Sequence, residues 1–146
     1  MKMLLLLFLF GFNLCYSPEK AVSYARDYCQ HYNTNYQDYV GRGGDCANFV
    51  SQCMIAGGLS FSECNPRRNG ILSGTHALRD CLIGKGWSYS TTKPPSFKAG
   101  YPMAKTDWSH FIIATEVGST IKYCGHTSDV CDGKLNYAVY YFYPPK

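Results

Sequence analysis

The chain has 146 residues, of which 46% are hydrophobic and 16% charged, and its formal net charge is +4 at pH 7. This length allows one compact domain with a core of its own and excludes two ordinary domains. Nucleic-acid binding is not indicated, because Arg67-Arg68 is the only adjacent basic pair and no basic helix face is present. The mild basicity favours anionic surfaces such as bacterial envelopes.

The beginning of the chain has the layout of a secretory signal peptide. Lys2 precedes an apolar run at residues 4–12, which is too short to cross a bilayer. We therefore expect residues 1–17 to be a cleaved leader and residues 18–146 to be the mature domain. No later segment is apolar enough to span a membrane. Because of the leader, we expect the domain outside the cell or in a secretory or phagosomal lumen.

The cysteine count suits an exported protein. Lipid modification of Cys15 is an alternative to its removal with the leader, but residues 12–14 lack the small side chains typical of lipoprotein signals. Without Cys15 an odd number remains, so six can pair and one stays free. We expect Cys46 to be the free thiol and Cys124 to pair with Cys131. Four others can pair in three ways, which the sequence does not decide: Cys29, Cys53, Cys64 and Cys81.

Helical patterns occupy the first part of the chain. Ser17 followed by Pro18 is a helix start, and apolar residues recur at helical spacing over residues 18–33. A second helix is expected from Cys46 to the glycine pair at 57–58. A third is expected to start near Ser73 or Thr75 and to end at Gly84 and Gly86.

The pattern changes to strands after Gly86. Aromatic and branched residues predict a short strand at 87–91 and three longer ones at 109–117, 120–124 and 137–143, with the intervening residues in loops. Helices first and antiparallel strands second indicate an α+β domain, with the central helix lying on a sheet.

Cys46 is the candidate nucleophile. Free N–H groups and the helix dipole at a helix start lower a thiol pKa, so a cysteine there tends to be a reactive thiolate. Such a thiolate needs a base and a group that orients the base. His110 begins the most apolar strand and His126 follows the next strand, so both could lie at the sheet edge on which the helix start docks.

A zinc site is a competing interpretation of one segment. Cys124, His126 and Cys131 have ligand chemistry at short spacing. Such a site needs a fourth ligand and reduced thiols, which the export signal disfavours. We expect neither a metal nor another cofactor.

The segment around Cys46 resembles a known family. The residues that carry the resemblance are Gly43-Gly44-Asp45-Cys46-Ala47-Asn48-Phe49-Val50-Ser51-Gln52 and Ala56-Gly57-Gly58. They are similar to the signature of the putative amidase domain family, a branch of the papain-like NlpC-type and CHAP-type cysteine peptidases and amidases. Residues 21–25, 109–113 and 126–129 also resemble the family, in the expected order, so the likeness covers nearly the whole mature chain.

The resemblance implies roles for individual residues. Cys46 would be the nucleophile, His110 the general base and then acid, and His126 the residue that orients His110. The backbone N–H of Cys46 would contribute to an oxyanion hole. Asp129 is the alternative third residue, because cysteines bracket His126. Three residues would support the site. Asp45 would cap the helix, Asn48 would form structural hydrogen bonds, and Gln52 would have either of these two roles.

These roles imply a papain-like, NlpC-type fold and a secreted, monomeric cysteine amidase or peptidase that forms a thioester acyl-enzyme. The expected substrates are amide bonds of peptides, above all those of bacterial cell walls (peptidoglycan). One alternative is a secreted binding module in which Cys46 is disulfide-bonded and inactive. Another is an acyl transferase, in which an amine replaces water in the second step.

Overall fold

A computed structural model describes residues 15–146, so most of the predicted leader lies outside the described residues. Over this range the chain forms three α-helices followed by six strands. The helices are α1 (Pro18–Tyr28), α2 (Cys46–Ala56) and α3 (Thr75–Gly84), with short 3-10 turns at Ser62–Cys64 and Arg68–Gly70. The strands are β1 (Ser88–Ser90), β2 (Pro102–Lys105), β3 (Phe111–Val117), β4 (Ile121–Gly125), β5 (Val130–Lys134) and β6 (Val139–Tyr143).

The six strands form one antiparallel sheet in the order β1-β6-β2-β3-β4-β5. The α+β prediction is confirmed, with all three helices preceding the sheet along the chain. The predicted hairpin is formed by β3 and β4, in which Ile113 lies opposite Cys124. The papain-like type of this fold stays a prediction.

Two strands were not predicted. Strand β2 begins at Pro102, which the sequence marks as a turn, and proline is tolerated there because it is the first residue of the strand. Strand β5 contains Asp132 and Gly133 and lacks an alternating pattern. It forms at the sheet edge by pairing with β4, where Tyr123 lies opposite Gly133. The first helix also ends at Tyr28, several residues earlier than expected.

Helix α2 is the most enclosed element. Every residue from Cys46 to Met54 is buried, because α1 lies on one side of the helix and β3 and β4 lie on another. Its largest side chains, Phe49 and Met54, are fully buried with the Phe111 and Phe142 rings of the sheet. The helix start is therefore fixed in place by packing on both sides.

The residues just before α1 belong to the packed structure. The Tyr16 hydroxyl donates to the Gly100 carbonyl oxygen at 2.6 Å, and the Tyr16 ring lies edge-on to Trp87 at 5.5 Å between centroids. The Ser17 N–H donates to the Gly57 carbonyl oxygen at 2.7 Å, and the Ser17 hydroxyl oxygen accepts from the N–H of Lys20 in the first turn of α1. The expected boundary after residue 17 therefore falls inside the packed structure.

The disulfide predictions were partly wrong. Cys131 is bonded to Cys29 and not to Cys124, and the second disulfide joins Cys64 to Cys81. Strand pairing explains the correction, because β5 carries Cys131 to the end of α1. Cys46 is free as expected, but it is not the only free thiol in the described chain: Cys15, Cys53 and Cys124 are unpaired as well.

Within residues 15–146, no helix is both long and apolar enough to cross a bilayer.

Candidate active site

Cys46 is the first residue of α2, as predicted. The chain reaches it through Gly43 and Gly44, which have φ angles of +97° and +94° that other residues rarely adopt. A Cβ on Gly44 would lie 3.2 Å from Oγ1 of Thr127, so a side chain there would be both strained and crowded. The thiol is free, and the residue is 6% exposed. The glycine turn thus brings a reduced cysteine to the start of a buried helix.

Asp45 occupies the N-cap position but does not cap the helix with its side chain. Its Oδ1 accepts from the Tyr39 N–H at 2.9 Å and from the Asn48 side-chain amide at 2.6 Å. Its Oδ2 lies 2.7 Å from Nδ1 of His126. Asp45 therefore does not cap α2 as expected, because three other groups hold its fully buried carboxyl group.

The first turn of α2 consequently keeps open donors. Among the described residues, the backbone N–H groups of Cys46, Ala47 and Asn48 form no hydrogen bond. The Phe49 N–H is the first to be satisfied, by the Asp45 carbonyl oxygen at 2.9 Å. Open N–H groups at a helix start attract negative charge and favour a thiolate or an oxyanion beside them.

His126 lies against α2, with partners that differ from the expectation. Its Nδ1 faces Asp45, and its Nε2 lies 2.7 Å from the carbonyl oxygen of Tyr28, the last residue of α1. The ring stacks on Phe49 at 3.9 Å between centroids and contacts Tyr32 at 4.4 Å. Both ring nitrogens are therefore occupied, and His126 forms no hydrogen bond through which it could orient His110 directly.

His110 lies immediately before β3 and is half-buried. Its Nε2 lies 3.7 Å from the point where a Cβ on Gly125 would stand, at the end of the neighbouring strand β4. Burial, followed by the nearby positive charge of Lys105, lowers the pKa of His110 below its usual value of 6.5. Its imidazole is therefore neutral at pH 7 and able to accept a proton.

Cys46 and His110 approach the same short segment of the chain. In the segment 125–127, Gly125 faces His110, whose Nε2 lies 3.7 Å from the position of a Cβ on that glycine, and Thr127 Oγ1 accepts from the Asp45 N–H at 3.2 Å. No hydrogen bond joins the Cys46 thiol to His110 within the part of the chain that the structure describes. The end of β4 thus lies beside His110 on one side and beside Asp45, the residue before Cys46, on the other.

Asn48 and Gln52 continue the polar contacts of Asp45 along α2. The Gln52 amide donates to Asn48 Oδ1 at 3.0 Å, and the Tyr24 hydroxyl donates to Gln52 Oε1 at 2.7 Å. The Asn33 side-chain amide in turn donates to the Tyr24 oxygen at 3.0 Å. These contacts agree with the structural hydrogen bonding expected of Asn48. Since Asp45, Asn48 and Gln52 follow helical spacing, they form one buried polar stripe.

Asp129, the alternative third residue, forms no hydrogen bond with His110 among the described residues. Its Oδ1 accepts from the Tyr32 hydroxyl at 2.8 Å, and the residue is exposed with a φ of +39°.

The zinc interpretation loses a ligand, because Cys131 is bonded to Cys29. Among the described residues, no cluster of three histidine, cysteine or acidic side chains could hold a metal ion.

Several residues that build the site were not predicted. Thr127, Tyr39 and Tyr28 contribute a side-chain oxygen, a backbone N–H and a carbonyl oxygen to Asp45 and His126. Backbone donors and acceptors carry no residue-specific signal in a sequence. One clue to the role of Thr127 was available, which is that it directly follows His126 in the sequence.

A comparison with protein families identifies the family of the chain. The family described as "Putative amidase domain" matches residues 15–136, which is most of the chain and includes Cys46, His110 and His126. The chain belongs to this family. The predicted resemblance is thereby confirmed at the level of the amidase family, and membership supports amide-bond hydrolysis as the general class of activity. No curated protein and no solved structure matches the chain.

Proposed function

We propose that this amidase-family protein is a secreted cysteine hydrolase that cleaves amide bonds in peptides of the bacterial cell wall. The observation that carries the proposal is the placement of a free cysteine at a helix start with open N–H groups, beside a segment that also contacts a neutral histidine. The family match supplies the bond type, and the cysteine chemistry supplies the mechanism.

In the first half-reaction, His110 takes the proton of Cys46, and the thiolate attacks the amide carbonyl carbon. The carbonyl oxygen becomes an oxyanion, for which the open N–H groups of the first turn of α2 are the available donors. The C–N bond then breaks as imidazolium His110 gives its proton to the leaving amine. The product is a thioester between the acyl group and Cys46.

In the second half-reaction, water attacks the thioester while His110 accepts one of its protons. The C–S bond breaks, the carboxylic acid leaves, and the proton returns from His110 to the Cys46 thiolate. His126 and Asp45 do not enter the proton transfers in this scheme, since their polar atoms are bonded to each other and to Tyr28, Tyr39 and Asn48.

Three features support the location and the substrate. The disulfides Cys29–Cys131 and Cys64–Cys81 suit an oxidising compartment outside the cytosol. The net charge of +4 favours association with anionic cell-wall polymers. The alternative of a binding module with a bridged Cys46 receives no support, because both disulfides form without that cysteine.

The direct test is hydrolysis of purified peptidoglycan and of a short peptide amide by Cys46→Ala. Loss of a nucleophile of this kind lowers kcat by about 10⁴-fold or more. The matched control is Cys124→Ala, which also removes a free buried thiol but on β4. Activity retained in the first variant, or lost equally in both, would refute the proposed mechanism. Product analysis with added amines separates hydrolysis from acyl transfer.

A further inference from the structure

The hydrogen bonds of His126 follow from its partners. A carbonyl oxygen only accepts hydrogen bonds, so Nε2 of His126 donates to the Tyr28 carbonyl oxygen. Oδ1 of Asp45 accepts from the Tyr39 N–H and from the Asn48 side-chain amide. Oδ2 of Asp45 shares one hydrogen bond with Nδ1 of His126, so His126 holds the carboxyl oxygen that those two donors do not reach.

The His126 side chain joins the ends of two helices. Tyr28 ends α1, where carbonyl oxygens lack intrahelical donors and the helix dipole is negative. Asp45 precedes α2, where the dipole is positive and an aspartate ordinarily bends back to cap the first turn. The position of His126 between them, stacked on Phe49, holds the carboxylate on the side away from that turn.

We propose that His126 is a positioning residue that acts through Asp45: it keeps the carboxylate off the first turn of α2, so that the N–H groups there remain open to Cys46 and to the substrate oxyanion. The part of this proposal that concerns the substrate oxyanion rests on the proposed function. The effect of His126 on Cys46 concerns the free enzyme and is independent of any substrate.

The charges around His126 are consistent with this role. The other titratable group that contacts the ring is Tyr32, whose pKa is raised by burial and by its hydrogen bond to Asp129, so it is a neutral phenol. Asp129 is exposed and engaged by Tyr32. Asp45 is thus the one buried carboxylate in contact with His126 within the described chain.

The decisive variant is His126→Phe, which keeps a ring against Phe49 and removes both hydrogen bonds. Without His126, Oδ2 of Asp45 has no partner, while Oδ1 keeps its bonds to the Tyr39 N–H and the Asn48 amide. We expect Oδ2 to turn toward the first turn of α2, where it competes for the N–H groups and repels the thiolate. The alkylation rate of Cys46 by iodoacetamide at pH 6 should then fall by about tenfold. Peptide mapping assigns the label to Cys46.

The matched control is the same substitution made in an Asp45→Ala background. An alanine can neither accept from the first-turn N–H groups nor repel the thiolate, so His126→Phe should then leave the alkylation profile of Cys46 unchanged. An unchanged profile in the folded single variant, or an equal shift in both backgrounds, would overturn the proposal. A folded state is verified by circular dichroism.

If His126→Phe does not fold, the wild-type protein still gives an answer. Nitrogen-15 NMR of labelled histidine should show a slowly exchanging proton in the hydrogen bond between Nδ1 of His126 and Asp45, and a folded protein without that hydrogen bond would overturn the proposal. Neither measurement uses a substrate. A thiol shift found in a protein that hydrolyses no amide would therefore refute the proposed function and leave the positioning role intact.

Discussion

Removal of the disulfide between Cys29 and Cys131 should destabilise the protein more than removal of the one between Cys64 and Cys81. The two bonds join residues separated by 102 and 17 positions along the chain. In the chain-entropy description, loops of these lengths correspond to stabilisation by about 4.7 and about 3.1 kcal/mol, respectively. The longer loop thus accounts for a large part of the roughly 5–15 kcal/mol that stabilises an ordinary domain.

The comparison is well controlled because the two bonds have similar surroundings. Each joins one buried cysteine, Cys29 at 5% or Cys81 at 4% exposure, to a half-buried partner. Replacing both members by serine therefore costs a similar amount of packing in the two double variants. The difference between them, about 1.6 kcal/mol, reports on loop length.

Urea denaturation of the wild type and both double serine variants measures these free energies of unfolding. We expect Cys29→Ser/Cys131→Ser to have the lower transition midpoint, with an m-value close to that of the other variant. A larger loss of stability on removing the Cys64–Cys81 bond would show that strain or denatured-state structure outweighs loop entropy here, and would refute the reasoning.

Two further predictions concern His110 and Gly100. Because the pKa of His110 is lowered, its NMR titration in a Cys46→Ala variant should have a midpoint below 6.5. The free energy of unfolding should decrease as the pH falls through that region. A midpoint above 6.5 would contradict the burial argument. Gly100→Ala should lower the melting temperature markedly, since its φ is +90° and a Cβ would strike the backbone of Pro18. Gly84→Ala, with open space around its Cβ at the end of a helix, is the matched control and should be neutral or stabilising by up to about 1 kcal/mol in thermal denaturation.

Sequence patterns were informative where the signal is local. The Ser17-Pro18 start of α1, the limits of α2 and the β3–β4 hairpin each follow from neighbouring residues, and the structure confirms them. Strand β5 and the partner of Cys131 depend instead on contacts between distant parts of the chain. No local pattern specifies such contacts, which is why the pairing of Cys131 with Cys124 was predicted wrongly.

The candidate site shows the same division. The position of Cys46 at a helix start could be predicted, because glycines and a capping residue mark it in the sequence. The orientation of Asp45 could not, since it depends on the Tyr39 N–H and on His126, which is itself fixed by the Tyr28 carbonyl oxygen. A residue with strong capping propensity therefore has another role when buried hydrogen-bond partners from other parts of the chain lie within reach.

The packing of Tyr16 and Ser17 has a consequence for maturation. A chain cut after Ser17 loses the hydrogen bond to Gly100, the edge-on contact with Trp87 and the N-cap of α1. A mature chain that keeps all of them begins no later than Tyr16. If the proposed leader is removed, N-terminal sequencing of the product tells whether the first helix keeps these contacts.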